Sequence, residues 1–231
     1  MRLRSVGSLL RLVAAAAVTA AVLATAPAGA GTSAFARLAE SRFDELLGLP
    51  QWQQVMRQLP QEAALVRACL RGAECRDAGA ARIAALVARG AGLSPMAQLE
   101  QVHAAINRQP YREDMEQFGR DDLWQTPLAF VVRGGDCEDF AIAKYFVLKL
   151  LGFADPDLRI AVLTSPERNE VHAVLLARVG VVWLVLDNRE DGPRPLNDYA
   201  GWTPQFAVTE AGGFRYLSAS QSEPFRAPAQ R

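Results

Sequence analysis

Apolar residues recur at helical spacing from Thr32 to Arg89, with Phe35, Leu38, Phe43, Leu46 and Leu47 on one segment and Trp52, Val55, Met56 and Leu59 on the next. Pro50 and Pro60 punctuate these segments. Ala81 to Ala88 reads as a short helix, and Leu93-Ser94-Pro95 opens a better one, with Ser94 as N-cap and Pro95 at the first helical position. That helix carries Met96, Leu99, Val102, His103 and Ile106 as packing positions. Between Asn107 and Val132 the pattern becomes irregular and acidic, with Glu113, Asp114, Glu116, Asp121 and Asp122 before Trp124 and the turn-forming Thr126-Pro127. A long loop of this kind reads either as one wall of a cleft or as solvated surface. From Cys137 the chain is apolar on nearly every helical face: Phe140, Ile142, Phe146, Val147, Leu148, Leu150 and Leu151 leave Lys144 and Lys149 as the obvious solvent contacts. This predicts a central core helix closed by Gly152 as its C′ residue. The period then changes to that of strands over Leu158 to Thr164, Val171 to Ala177 and Val181 to Asp187. Phe206 to Val208 and Phe214 to Leu217 add short edge strands before a loose tail from Ser218. A buried helix followed by an antiparallel sheet is an α+β layout, with the helix against one sheet face.

The first thirty residues stand apart. Arg2 and Arg4 precede the apolar run Leu12 to Leu23, which ends at Ala28-Gly29-Ala30, the form of a secretory signal with a small-residue cleavage site. The run is shorter than the roughly 20 residues a bilayer-spanning helix needs. The expected organisation is a signal peptide over 1–30 and one domain over 31–231. The full chain balances 25 Lys and Arg against 25 Asp and Glu. Removing the signal takes away Arg2, Arg4 and Arg11 and no acids, which leaves a slightly acidic chain with no basic patch for nucleic acid. Three cysteines in an exported chain divide into a bridge and a remainder, and Cys69 and Cys75 are the neighbours. On one unbroken helix their separation along the axis would be about 9 Å, too far for a disulfide. Gly72 offers a break that lets them close a small loop; the alternative is two free thiols.

The remaining cysteine, Cys137, follows Gly134-Gly135-Asp136 at the start of the core helix. The glycines permit a tight turn, Asp136 is a good N-cap, and a thiol at a helix N-terminus faces unpaired N–H groups that favour its thiolate. A nucleophilic cysteine needs a base and a group to orient that base. The chain has two histidines: His103 lies in a packing helix, whereas His172 opens a strand. If Arg178 pairs with Val181 across a Val179-Gly180 turn, His172 falls opposite Asp187 and both point to one face, with Asn188 facing away. Cys137, His172 and Asp187 are therefore the candidate catalytic residues. The Cys137 backbone N–H is a natural oxyanion donor, and Trp124 is a candidate second donor or cleft wall. Asp136, Glu138 and Asp139 crowd the same helical turn and would raise the thiol pKa. They read either as helix caps or, with loop acids such as Asp121 and Asp122, as hard oxygen ligands for Ca²⁺.

The run Gly134-Gly135-Asp136-Cys137-Glu138-Asp139-Phe140-Ala141-Ile142-Ala143-Lys144-Tyr145, followed by Val171-His172-Ala173-Val174-Leu175 and Val185-Leu186-Asp187-Asn188, resembles the bacterial transglutaminase-like cysteine proteases of the LapG type. The resemblance spans roughly Ser94 to Asn188. It implies a papain-like, transglutaminase-like α+β fold and a periplasmic endopeptidase. Such an enzyme cleaves the N-terminal region of a large surface adhesin near a pair of alanines, releasing it and dispersing biofilm. It further implies sequestration by an inner-membrane cyclic di-GMP receptor, triad roles for Cys137, His172 and Asp187, and a Ca²⁺ bound through Asp136 and Glu138. Asp139 joins that metal set on the charge pattern alone. A transglutaminase, in which an amine takes the acyl group, and a noncatalytic peptide- or calcium-binding module are the competing readings.

Overall fold

The computed structural model describes residues 39–43, 49–165, 167–199 and 201–217. The expected signal peptide and the tail from Ser218 lie outside them. Among the described residues six α-helices precede most of the sheet: α1 (Pro50–Leu70), α2 (Ala78–Gly90), α3 (Pro95–Ile106), α4 (Asp114–Phe118), α5 (Pro127–Arg133) and α6 (Cys137–Leu150). The strands are β1 (Ala39–Phe43), β2 (Leu158–Ser165), β3 (Glu170–Val179), β4 (Val182–Leu186), β5 (Arg194–Pro195), β6 (Thr203–Thr209) and β7 (Gly212–Leu217). They form one sheet in the order β1-β7-β6-β2-β3-β4-β5, with every neighbouring pair antiparallel.

The sheet separates two apolar layers. On one face Leu158, Ile160, Leu175, Ala177, Leu184 and Leu186 pack with the helices. On the other, Leu163, Val174, Leu176 and Val185 are covered by Tyr199 and Trp202. The alternation along β3 and β4 follows from strand geometry, in which successive side chains point to opposite faces. Helix α6 lies between the sheet and α2, α3 and α5, which explains its all-round apolar sequence. It ends in a Schellman motif: Gly152 has φ +101°, its N–H donates to Lys149 O (3.1 Å), and the Phe153 N–H donates to Leu148 O (3.0 Å).

Four expectations are corrected. Pro60 does not end a helix, because α1 runs through it; Pro60 faces solvent, while Trp52, Val55, Leu59, Ala63 and Val66 form an unbroken buried stripe that outweighs one lost backbone bond. Residues 39–43 form a strand paired with β7 instead of a helix, since pairing with a distant strand overrides weak local periodicity. Strand β6 is interior, paired with both β2 and β7, so the late strands complete the sheet instead of decorating its edge. Lys144 is not a solvent contact at all, for it is 0% exposed. The acidic loop, for its part, contains two short helices, α4 and α5.

Helix α1 stops at Leu70, and the turn after it brings Cys69 and Cys75 into a disulfide with a Cα–Cα distance of 5.0 Å. Replacing both cysteines by serine should lower the unfolding free energy by roughly 2 kcal/mol, as expected for a short closed loop. Urea unfolding of the variant, and of the wild type with and without reductant, measures this. Identical midpoints would show that the bridge contributes nothing.

Candidate active site

The start of α6 is built by close contacts that only glycine allows. Gly134 has φ +81°, and a Cβ there would lie 2.3 Å from the Pro110 carbonyl oxygen; at Gly135 it would lie 2.0 Å from Asp139 Oδ2. The loop before α4 fills the space at Gly134, and the Asp139 side chain fills it at Gly135. Gly135 N–H donates to Pro110 O (3.3 Å), Arg112 N–H donates to Gly135 O (2.9 Å), and Tyr111 bridges to Gly135. Asp139 secures the turn from inside: its Oδ1 accepts the Gln125 backbone N–H at 2.7 Å and its Oδ2 the Gln125 amide at 2.6 Å. The same amide donates to Gly134 O at 3.0 Å.

The acids of this turn therefore divide. Asp139 is a structural fastener and does not join the other two. Asp136 sits at the N-cap position, but its side chain makes no capping hydrogen bond. It turns instead toward Glu138 and toward Asp114 at the start of α4, and one carboxylate oxygen from each of the three lies within 4.8 Å of the others. The donor set is three hard oxygens, and Asp114 Oδ1 and Asp136 Oδ1 are buried without a hydrogen-bond partner among the described residues. This arrangement fits a hard cation such as Ca²⁺. Burial raises the pKa of all three acids, and repulsion adds to it, from Asp114 on Asp136, from Asp136 on Glu138, and from Asp122, Glu113 and Asp121 on Asp114. The loop acids proposed from the sequence lie elsewhere: Asp122 accepts from Gln51 (2.7 Å) and from the Trp124 indole N–H (2.9 Å), and Asp121 is outside the cluster. With its N–H engaged and its ring against Trp52, Trp124 is a core residue, which removes it as an oxyanion donor.

His172 and Asp187 meet as expected, by a different register. Leu175 pairs with Leu186 and Val179 with Val182, so the turn is Gly180-Val181, and the strands are slipped by two residues from a Val179-Gly180 turn. A two-residue slip preserves parity. His172 and Asp187 stay on one face as diagonal neighbours, and His172 Nε2 donates to Asp187 Oδ1 at 2.8 Å. Oδ1 also accepts the Arg189 N–H at 3.0 Å, and Oδ2 accepts the Tyr199 hydroxyl. Burial pushes the Asp187 carboxyl up, but the hydrogen bonds from His172 and Tyr199 and the charge on His172 outweigh it and hold the pKa down at about 2. The Trp202 ring lies 5.3 Å from the imidazole and shields the pair, leaving His172 0% exposed.

The thiol is the unfinished part of this geometry. Cys137 is partly exposed and lies against the Ala173 N–H, next to His172 in sequence, while its own hydrogen bond runs to Glu138 Oε2 at 3.3 Å. Burial first, and then the Glu138 charge, push its pKa up, against the thiolate preference expected of a helix start. His172 Nδ1 is buried with no partner among the described residues. The structure thus assembles the imidazole and its carboxylate and leaves the Nδ1 nitrogen unused among the described residues.

The sequence profile described as "Bacterial transglutaminase-like cysteine proteinase BTLCP" matches residues 61–200. The chain belongs to this family. Calcium-bound LapG from Legionella pneumophila is similar in structure, with a TM-score of 0.56 and 28% identity over 70% of this chain and 90% of LapG. The EGTA-treated form of the same protein aligns with a TM-score of 0.56 and 27% identity over 71% and 88% of the two chains. A comparison with curated protein sequences finds no match. The chain is thus a cysteine proteinase homologue with an α+β, transglutaminase-like fold. Sequence reasoning missed Asp114, Gln125, Tyr199 and Trp202. Of these only Asp114 carried a signal, as an acid close to the Tyr111 segment that meets the cysteine turn.

The glycine turn generates a paired test. Gly135→Ala should cost about 1–3 kcal/mol, because its methyl group displaces Asp139. Gly192→Ala, where an added Cβ meets nothing within 4 Å, should be neutral or slightly stabilising. Urea denaturation of both variants makes the comparison, and equal effects would refute the close-packing account.

Proposed function

We propose that this protein is a calcium-dependent periplasmic cysteine endopeptidase with Cys137 as nucleophile, His172 as base and Asp187 as the group that orients the base. The observation that carries the reading is the imidazole. Nε2 is committed to an ionised Asp187, which places the lone pair on Nδ1, and Nδ1 is the buried nitrogen without a partner. That tautomer is the one that can accept a thiol proton. His172 takes the Cys137 proton as the sulfur attacks the scissile carbonyl, then returns it to the leaving amine; water hydrolyses the acyl-enzyme. The Cys137 backbone N–H is positioned at the helix start to donate to the oxyanion. Asp114, Asp136 and Glu138 would hold Ca²⁺, which supplies charge neutralisation beside the nucleophile.

The substrate in this reading is the N-terminal region of a large surface adhesin, cut near a di-alanine site so that the adhesin is released and biofilm disperses. An inner-membrane cyclic di-GMP receptor sequesters the enzyme. The export signal read from residues 1–30 supports the compartment. Among the described residues no helix is long and apolar enough to cross a membrane.

Incubation of the mature protein with surface proteins of its host, followed by mapping of new N-termini, should reveal cuts beside small residues. Cys137→Ala should abolish them without lowering thermal stability, and Asp187→Asn should reduce kcat on the order of 10²–10⁴-fold through the wrong tautomer. Cleavage retained by Cys137→Ala, or amine incorporation without cleavage, ends the protease reading.

Exhaustive chelation should inactivate the enzyme and Ca²⁺ should restore it. Because the three ligand acids have pKa values raised in the folded state, protons compete with the cation, and calcium affinity should rise with pH as protons are released on binding. By the same sign the metal-free protein loses stability as pH rises and these acids ionise. Calorimetric titration in buffers of different ionisation enthalpy measures the proton release. Binding without it would place the cation elsewhere.

A further inference from the structure

Lys144 stands two helical turns after Cys137 on α6 and is 0% exposed. Its ammonium has one hydrogen-bond acceptor given by the geometry, the Leu186 carbonyl at 3.1 Å, and lies 5.9 Å from the Phe140 ring centroid. Among the described residues no carboxylate forms an ion pair with it; the charged and titratable groups there that act on it are Asp187 on the strand side and His103 on α3. Burying an ammonium in this way is unfavourable, and burial accordingly lowers its pKa to about 7. A methionine or leucine would fill the same volume in this otherwise apolar helix at less cost, so stability does not account for the residue.

Its acceptor does. Leu186 is the last residue of β4 and immediately precedes Asp187. Two further side chains from α3 and its end hold the next carbonyls. The Asn107 amide donates to Asp187 O at 3.1 Å and to Glu190 O at 3.2 Å, and His103 Nε2 lies 2.9 Å from Glu190 O, which assigns it the donor role. The backbone around Asp187 is therefore pinned from the helix layer, while its carboxylate is engaged on the opposite sheet face by His172 and Tyr199. We propose that Lys144 is a positioning residue for Asp187: by holding the Leu186 carbonyl it makes the helix that starts with Cys137 also set the place from which Asp187 orients His172. Nucleophile and acid are thereby referenced to one rigid element, although 50 residues of chain separate them. The assignment rests on the reading of Asp187 as the orienting acid.

The test uses the full mature chain with Ca²⁺ present and the variant Lys144→Met, which keeps the length and removes the donor. Three quantities are read: kcat and KM on a cleaved peptide, the thermal midpoint, and the low-field proton resonance of the His172 Nε2–H, assigned by its loss in Asp187→Asn. Positioning through Asp187 predicts a fall in kcat on the order of 10²-fold with KM little changed. It also predicts a midpoint that is unchanged or raised, and an upfield shift or loss of the resonance. In an Asp187→Asn background the lysine substitution should have little further effect on kcat. Should the methionine variant not fold, Lys144→Gln, whose amide ends short of the Leu186 carbonyl, is read by the same measurements with the same expected direction. A variant with wild-type kcat and an unchanged resonance overturns the proposal. A wild type that cleaves no protein sinks the endopeptidase reading separately, because the resonance reports the His172–Asp187 bond without any substrate.

Discussion

The organisation of the site depends on keeping one buried carboxylate ionised and in place. Asp187 is 3% exposed, and an isolated carboxylate there would take up a proton before it accepted such burial. Three donors prevent this: the His172 imidazole and the Arg189 N–H on Oδ1, and the Tyr199 hydroxyl on Oδ2. Each comes from a different part of the chain, so the sheet, the turn after β4 and the segment that carries Tyr199 and Trp202 must all be formed before the charge is satisfied. The helical layer serves the same end from the other face. It offers polar groups to the carbonyls of Leu186, Asp187 and Glu190 at and just beyond the strand end.

The cysteine end is built on the opposite electrostatic logic. Burial penalises the ionisation of Asp114, Asp136 and Glu138, and repulsion of Asp136 by Asp114 and of Glu138 by Asp136 adds to it, so the cluster is unfavourable without a proton or a cation. Glu138 meanwhile accepts the hydrogen bond of the thiol. The two halves of the site are therefore unequal. The Asp187 carboxylate is satisfied within the protein, whereas among the described residues the Cys137 half keeps Asp114 Oδ1 and Asp136 Oδ1 buried without partners. The separate roles of Asp136, Glu138 and Asp139 also show how little sequence adjacency says about carboxylates on a helix. Residues one apart point in different directions, and Asp139 is engaged by Gln125 while its neighbours face Asp114.

Much of this is legible in the amino-acid sequence. Local rules were enough for the Ser94-Pro95 helix start, the Gly152 stop, the apolar helix after Cys137, the three central strands and the α+β class, because capping, backbone conformation and periodicity act within a few residues. The glycine pair before Cys137 was readable as a tight turn for the same reason. Parity along a strand placed His172 and Asp187 on one face even though the turn lay one residue further on. A two-residue slip leaves parity intact, and that is why the conclusion survived a wrong register.

What the sequence by itself determined, then, is the helices that begin at Pro95 and Cys137, the three strands that follow, the identity of the odd cysteine and the face shared by His172 and Asp187. Tertiary structure alone decided everything that depends on which distant surfaces meet. It turned residues 39–43 into a strand, carried α1 through Pro60, brought Asp114 to Asp136 across the glycine turn, and gave Trp124 to the core. It also buried Lys144. No local rule assigns a lysine to the inside of a protein, since the cost of dehydrating its charge is large and the carbonyl that receives it lies 42 residues away along the chain.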